Sequence, residues 1–249
     1  MTGASGSPRE RILGSLRDVR RARGGAPAPS WDLFAPREPV APSRSGDSLA
    51  ERRSRFAAAL RRVGGEAFDL VGAVDVRAAL RDIAASLRAA AGGGPQRAAV
   101  DGDPAWARLA ARKVGAIPIR AVLVEAGFEV VEVPAGTPEE TRAALAGCAL
   151  GVTVADLAVA ETGTVAQLAR PFRPRAISLL PPAHLVVLSE DRIVTAMDDL
   201  LQAAAADVGG PAGYMALVTG PSRTADIEKV LTIGVHGPGR LAVAIVEAV

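Results

Sequence analysis

The chain has 249 residues, of which 49% are apolar, 22% charged and 3% aromatic, so a globular core must be built from Ala, Val, Leu and Ile. Its single cysteine, Cys148, excludes an internal disulfide and cannot alone hold an iron–sulfur cluster; any electron transfer must run through another chain or an organic cofactor, whose identity stays unknown. No apolar run approaches bilayer length, and the N-terminus lacks the apolar stretch of a signal peptide; the expectation is a cytoplasmic protein with no membrane partner.

Charge is unevenly spread. Residues 1–62 hold 13 arginines against 6 acids, whereas the rest holds 16 basic and 21 acidic residues. The arm lacks the interleaved aromatics and motifs of nucleic-acid binders, which favours packing on an acidic body over nucleic acid as partner. Residues 1–45 read as a basic helix with a Pro-rich linker, and 46–249 as one α/β domain.

In chain order, 8–23 predicts an amphipathic helix with Ile12, Leu16 and Val19 on one stripe. The following segment, rich in Pro and Gly, is irregular; its Trp31 and Phe34 call for a surface to rest on. Helices are expected at about 48–63 and 76–91, a strand in "RAAVDGD", and another helix in "AWARLAARKV". "FEVVEV" reads as a strand, and "TPEETRAALAGC" as a helix opened by Thr137 and Pro138. "LGVTVADLAVA", "AISLLP", "HLVVLS" and "RIV" read as strands, and "TAMDDLLQAAAA" as a helix with Thr195 as its cap. "YMALVTG", "KVLTIGV" and "LAVAIVEAV" complete the strands. Near-continuous apolar strands between helices imply an α/β sheet covered on both faces, with ligands beyond the strands' carboxyl ends.

Three segments could carry chemistry. In "AVAETGTVAQ", Gly163 permits a tight backbone, Thr162 and Thr164 offer hydroxyls, and Glu161 could act as base or nucleophile. An ordinary hairpin turn accounts for the same residues. In "VTGPSRTADIE", Gly220, Ser222, Arg223 and Thr224 resemble an anion-binding loop in front of a helix starting near Ala225. Asp226 and Glu228 would repel that anion, and could instead hold ligand hydroxyls or pair with Arg223. The third is the histidine pair: His184, and His236 beside Gly237. Without neighbouring cysteines or ligand spacing the two make no metal site; His236 becomes an acid–base candidate if the fold brings it near Glu161 or Asp226. Lys113 and Arg170, Arg173 and Arg175 read as exposed, and Cys148 as a small core residue.

"ADLAVAETGTV", "SLLPPAHLVVL", "DRIV", "GPSRTADIE" and "GVHGPGRL", in this order, resemble the LUD-domain family, specifically its lactate-utilization protein C group. The likeness is strongest over 150–246, and "RERILGSLR" resembles the family's opening helix. The resemblance implies a three-layer α/β/α sandwich similar to the sugar-phosphate isomerase and CoA-transferase fold. It further implies a part in oxidising L-lactate to pyruvate beside iron–sulfur partner proteins, with a small anionic ligand at strand-end loops. A stand-alone CoA-ester or sugar-phosphate transferase or isomerase using Glu161 is the alternative. A non-enzymatic assembly module working through the basic arm is the third reading.

Overall fold

Six strands, all parallel, run side by side through the centre of the protein in a computed structural model. The structure describes residues 46–89, 96–102, 106, 110–111, 115–133, 136–168, 173–207, 214–225, 231–234 and 236–248. The expected N-terminal helix, its linker with Trp31 and Phe34, Lys113, Arg170, Asp226 and Glu228 lie outside the described residues.

Helix α1 (Leu49–Arg62) starts where the sequence places it. Ser48 and Glu51 form a capping box, the Glu51 N–H donating to Ser48 Oγ at 3.2 Å and the Ser48 N–H to Glu51 Oε2 at 2.8 Å. After β1 (Glu66–Asp69) come α2 (Val76–Ala89), β2 (Arg97–Val100) and a small hairpin, β3 (Ala110–Ala111) with β4 (Gly115–Ala116). Next are α3 (Ile119–Glu125), β5 (Glu129–Glu132), and α4 (Pro138–Leu145), capped by a Thr137–Glu140 box. Then come β6 (Cys148–Val154), β7 (Leu157–Val159), β8 (Thr164–Leu168), β9 (Ala183–Ser189) and β10 (Ile193–Val194). The chain closes with α5 (Met197–Asp207), β11 (Met215–Val218), β12 (Arg223–Ala225), β13 (Leu231–Ile233) and β14 (Arg240–Val246).

The central sheet has the order β1-β14-β9-β6-β2-β5. Its faces follow from the two-residue period of the strands. Leu185 and Val187 of β9, with Ala242 and Ala244 of β14, meet Leu80 and Ile83 of α2 and Val122 and Leu123 of α3. The alternate residues Val186, Leu188, Val243 and Ile245 meet Phe56 and Leu60 of α1 and Val165 of β8. Further along that second face, Ala99 and Cys148 meet Leu145 of α4 and Ile177. A four-stranded sheet, β10-β7-β8-β11, lies on this face, with Leu200 and Ala204 of α5 packed on its outer side. The result is the expected α/β/α sandwich, with a second sheet sharing one outer layer. Among the described residues, no helix is long and apolar enough to cross a membrane.

Three local expectations change. Part of the helix expected in "AWARLAARKV" is strand instead, since Ala110–Ala111 pairs with Gly115–Ala116; tertiary pairing overrides even alanine's high helix propensity. "AISLLP" contributes a 3-10 turn, Arg175–Ser178, because prolines at 174, 181 and 182 cannot donate to a strand ladder. Arg223–Ala225, expected to lead into a helix, form β12 instead and pair antiparallel with Leu231–Ile233 of β13, where β-branched residues favour extended backbone; residues 226–230 lie outside the described residues.

Candidate functional site

Two places in the domain gather polar chemistry. The first contains most of the residues singled out from sequence. Val159 of β7 pairs with Thr164 of β8, so Ala160–Gly163 is a hairpin turn, and Gly163 sits at φ +68°. A Cβ at Gly163 would lie 2.3 Å from the Leu60 nitrogen, so only glycine lets the turn press on the last turn of α1. Glu161 is exposed at the turn's tip, its N–H donating to the Thr195 carbonyl at 3.1 Å. Behind it runs a chain of hydroxyls: Thr162 Oγ1 to Thr164 Oγ1 at 2.7 Å, and Thr164 Oγ1 to Thr219 Oγ1 at 2.7 Å.

Thr219 leads into Gly220, which at φ +84° lies against the Val63 carbonyl. Arg223 is exposed, and its Nη2 donates to that same carbonyl at 2.6 Å, placing a cation at the C-terminus of α1. Ser222 donates its N–H to Pro238 at 2.8 Å and accepts from the Gly234 N–H at 2.9 Å. Gly237 lies against the Ser222 side chain, and His236 is exposed beside it. The structure therefore links the Glu161–Thr164 turn, the Thr219–Arg223 segment and the His236–Gly239 segment into one run of contacts. Thr224 lies in β12, and Asp226 falls outside the described residues.

The placement differs from the expectation for open sheets in two respects. His236–Gly239 precedes β14, so this surface adjoins the amino end of that strand, and Gly220–Pro221 ends a strand of the second sheet. No helix N-terminus is formed at Gly220–Thr224, and the Ser222 N–H is already bonded. Any anion here would meet side-chain hydroxyls and Arg223 instead of a nest of free amides.

The second place was not anticipated. In the sheet order the chain passes from β2 outward to β5, then returns across β2 to β6, β9 and β14, so the switch point lies between β2 and β6. Asp101 directly follows β2, and Asp156 follows β6 by two residues. Both carboxylates meet Arg173: its Nε donates to Asp101 Oδ2 at 3.2 Å and its Nη1 to Asp156 Oδ2. All three side chains are buried. Trp106 Nε1 donates to Asp101 Oδ1 at 2.7 Å, and the Leu168 N–H donates to Asp156 Oδ2 at 2.8 Å. Desolvation pushes the Asp101 carboxyl up to about 6, against the pull of Arg173 and the Trp106 hydrogen bond. Arg173, read from sequence as part of an exposed loop, is thus a core ion-pair residue; a buried guanidinium needs such partners.

Close to this network lies a buried relay. His184 Nε2 and Thr153 Oγ1 share a hydrogen bond of 2.8 Å, and Gln167 Nε2 donates to Thr153 Oγ1. Burial drives His184 down to about 3, so the ring is neutral near pH 7, and its Nδ1 has no hydrogen-bond partner. His184 is a buried core residue of β9. The signal for Asp101 and Asp156 was legible: each is the first acid after an apolar strand, in "RAAVDGD" and "GVTVADL". Nothing in the sequence says that both meet Arg173.

Fold and site define an open parallel α/β/α sandwich carrying a buried ion network at its switch point and a hydroxyl-lined hairpin surface. Comparison with known proteins makes this more specific. The model of the LUD domain matches residues 53–246, and the chain belongs to the LUD domain family. "Lactate utilization protein C" of an Exiguobacterium species is 38% identical over 114 residues, covering 44% of this chain and 49% of that protein. "Lactate utilization protein C" of Deinococcus radiodurans is 40% identical over 111 residues, covering 43% and 48%. The chain thus spans about half the length of the curated relatives it matches. A crystal structure of a DUF162 family protein from Deinococcus radiodurans superposes with TM-score 0.55 at 25% identity, covering 80% of this chain and 99% of that one.

Proposed function

We propose that this chain is a component of an L-lactate utilization system, working with iron–sulfur partner proteins, and that its hairpin surface binds a small anionic metabolite. The observation that carries this reading is the convergence of "ETGT", "GPSR" and "HGPG". These motifs bear the family likeness, and they are joined by the Thr164–Thr219 and Ser222–Pro238 hydrogen bonds. The names of the relatives supply the substrate class. Oxidation of L-lactate to pyruvate releases two electrons and two protons, and the partner clusters are the electron acceptors. This chain's only cysteine is buried, with its thiol pushed up by desolvation, so it contributes no cluster ligand set. Among the described residues of this surface, Glu161 and His236 are exposed groups able to take a proton.

The test is growth on L-lactate as sole carbon source. A deletion strain is expected to fail, wild-type protein to restore growth and recover iron–sulfur proteins on purification, and Glu161→Gln to restore neither fully. Normal growth of the deletion strain overturns the reading. An acyl adduct on Glu161 after incubation with CoA esters, detected by mass spectrometry, would instead favour a stand-alone transferase.

A further inference from the structure

Arg175 differs from the described arginines that are held in ion pairs. Arg53, Arg55, Arg77, Arg81, Arg97, Arg120, Arg173 and Arg240 all meet carboxylates. Arg175 is exposed, has no carboxylate partner among the described residues, and places its guanidinium carbon 5.4 Å from the ring centre of Tyr214. Tyr214 is itself 41% exposed and makes no hydrogen bond among the described residues. Two residues before Arg175 the chain is anchored by Arg173 to the buried carboxylates of Asp101 and Asp156, beside the switch point of the sheet. Tyr214 immediately precedes β11, whose Met215 pairs with Leu168, and the Leu168 N–H is held by the same Asp156. Both members of the pair are therefore fixed from the same buried network.

We propose that Arg175 and Tyr214 form a binding site for the carboxylate of a small organic acid, separate from the hairpin surface. A guanidinium held over an aromatic ring keeps its charge and its in-plane N–H fork, a geometry that matches a planar carboxylate. The tyrosine hydroxyl both donates and accepts, so it suits an oxygen beside that carboxylate. Phosphate is the poorer match, because one guanidinium fork matches a planar two-oxygen group and the helical turn beside it, Arg175–Ser178, is a four-residue 3-10 turn. Arg173 is no binder here, since its fork is already occupied by the two aspartates; it is a positioning residue.

Tyr214 is the only tyrosine in the chain, which makes the site directly observable. Full-length protein labelled with 3-fluorotyrosine gives one 19F resonance, to be followed during titration with L-lactate, acetate, phosphate and chloride at constant ionic strength. The expected result is a saturating shift with L-lactate and acetate and only a linear drift with chloride. Arg175→Ala is expected to weaken the response about tenfold or more, and Arg175→Lys, which keeps charge but loses the fork, to weaken it less. Glu161→Gln should leave it unchanged, so failure here and failure of the lactate-utilization reading are separate outcomes. Saturation that survives Arg175→Ala, a response to phosphate alone, or drift equal to that of chloride overturns the proposal.

Discussion

The hairpin surface and the network at the switch point use polar residues in opposite ways. At the hairpin, Glu161, Arg223 and His236 are exposed, and the three threonine hydroxyls satisfy one another. At the switch point, Asp101, Asp156 and Arg173 are withdrawn from water and depend on each other. An exposed charge changes little when replaced, whereas a buried one destabilises heavily once its partner is lost. Sensitivity to mutation should therefore read as stability at the switch point and as function at the hairpin.

The largest effect expected is that of Arg173→Ala, which removes the cation between two buried carboxylates and should cost about 3–5 kcal/mol in urea unfolding. A cost below 1 kcal/mol would erase the contrast between the regions. Gly163→Ala tests the one hairpin position where backbone dominates. Its new Cβ meets the Leu60 nitrogen, and φ is positive, so a loss of about 2–3 kcal/mol is expected.

Stability against pH separates two buried groups of opposite sign. Asp101 is raised from 3.8 to about 6, so its contribution is full below pH 3.8 and is lost as pH rises through 6. His184 is lowered from 6.5 to about 3, so its contribution is full above pH 6.5 and is lost as pH falls towards 3. Between about pH 4 and 6 the two slopes oppose each other. Asp101→Asn should leave stability rising with pH across that window and His184→Gln should leave it falling, as urea midpoints at pH 4.5 and 6 would record. Thr164→Val, which breaks the hydroxyl chain without changing shape, should cost only about 1 kcal/mol. Glu161→Gln should change stability by less than about 0.5 kcal/mol; any larger loss would mark Glu161 as structural.

Much of this contrast could be read in the chain before folding. Glycine between threonines at 162–164 pointed to a tight turn because only glycine takes positive φ without strain, and the turn is there. Thr137 and Pro138 marked a helix start, and the structure adds a capping box there with Glu140 and another at Ser48 with Glu51, since capping is local chemistry. Local chemistry also misled. Residues 220–224 read as an anion-binding loop in front of a helix, yet Arg223–Ala225 are claimed by a strand partner from residues 231–233. Arg173 looked solvated in a Pro-rich loop because sequence does not show which acids lie across the fold.

By itself, then, the sequence determined the α/β class, the helix start at Thr137, the tight backbone at Gly163 and the family, since each depends on residues near one another or on the order of short motifs. Tertiary structure alone decided that three motifs share one surface, that it adjoins the amino end of β14, and that Asp101, Arg173 and Asp156 meet. Those pairings span 72 residues between Asp101 and Arg173 and 55 between Thr164 and Thr219. They form only when the sheet order brings distant strand ends together, and burial then turns ordinary surface residue types into an ion network.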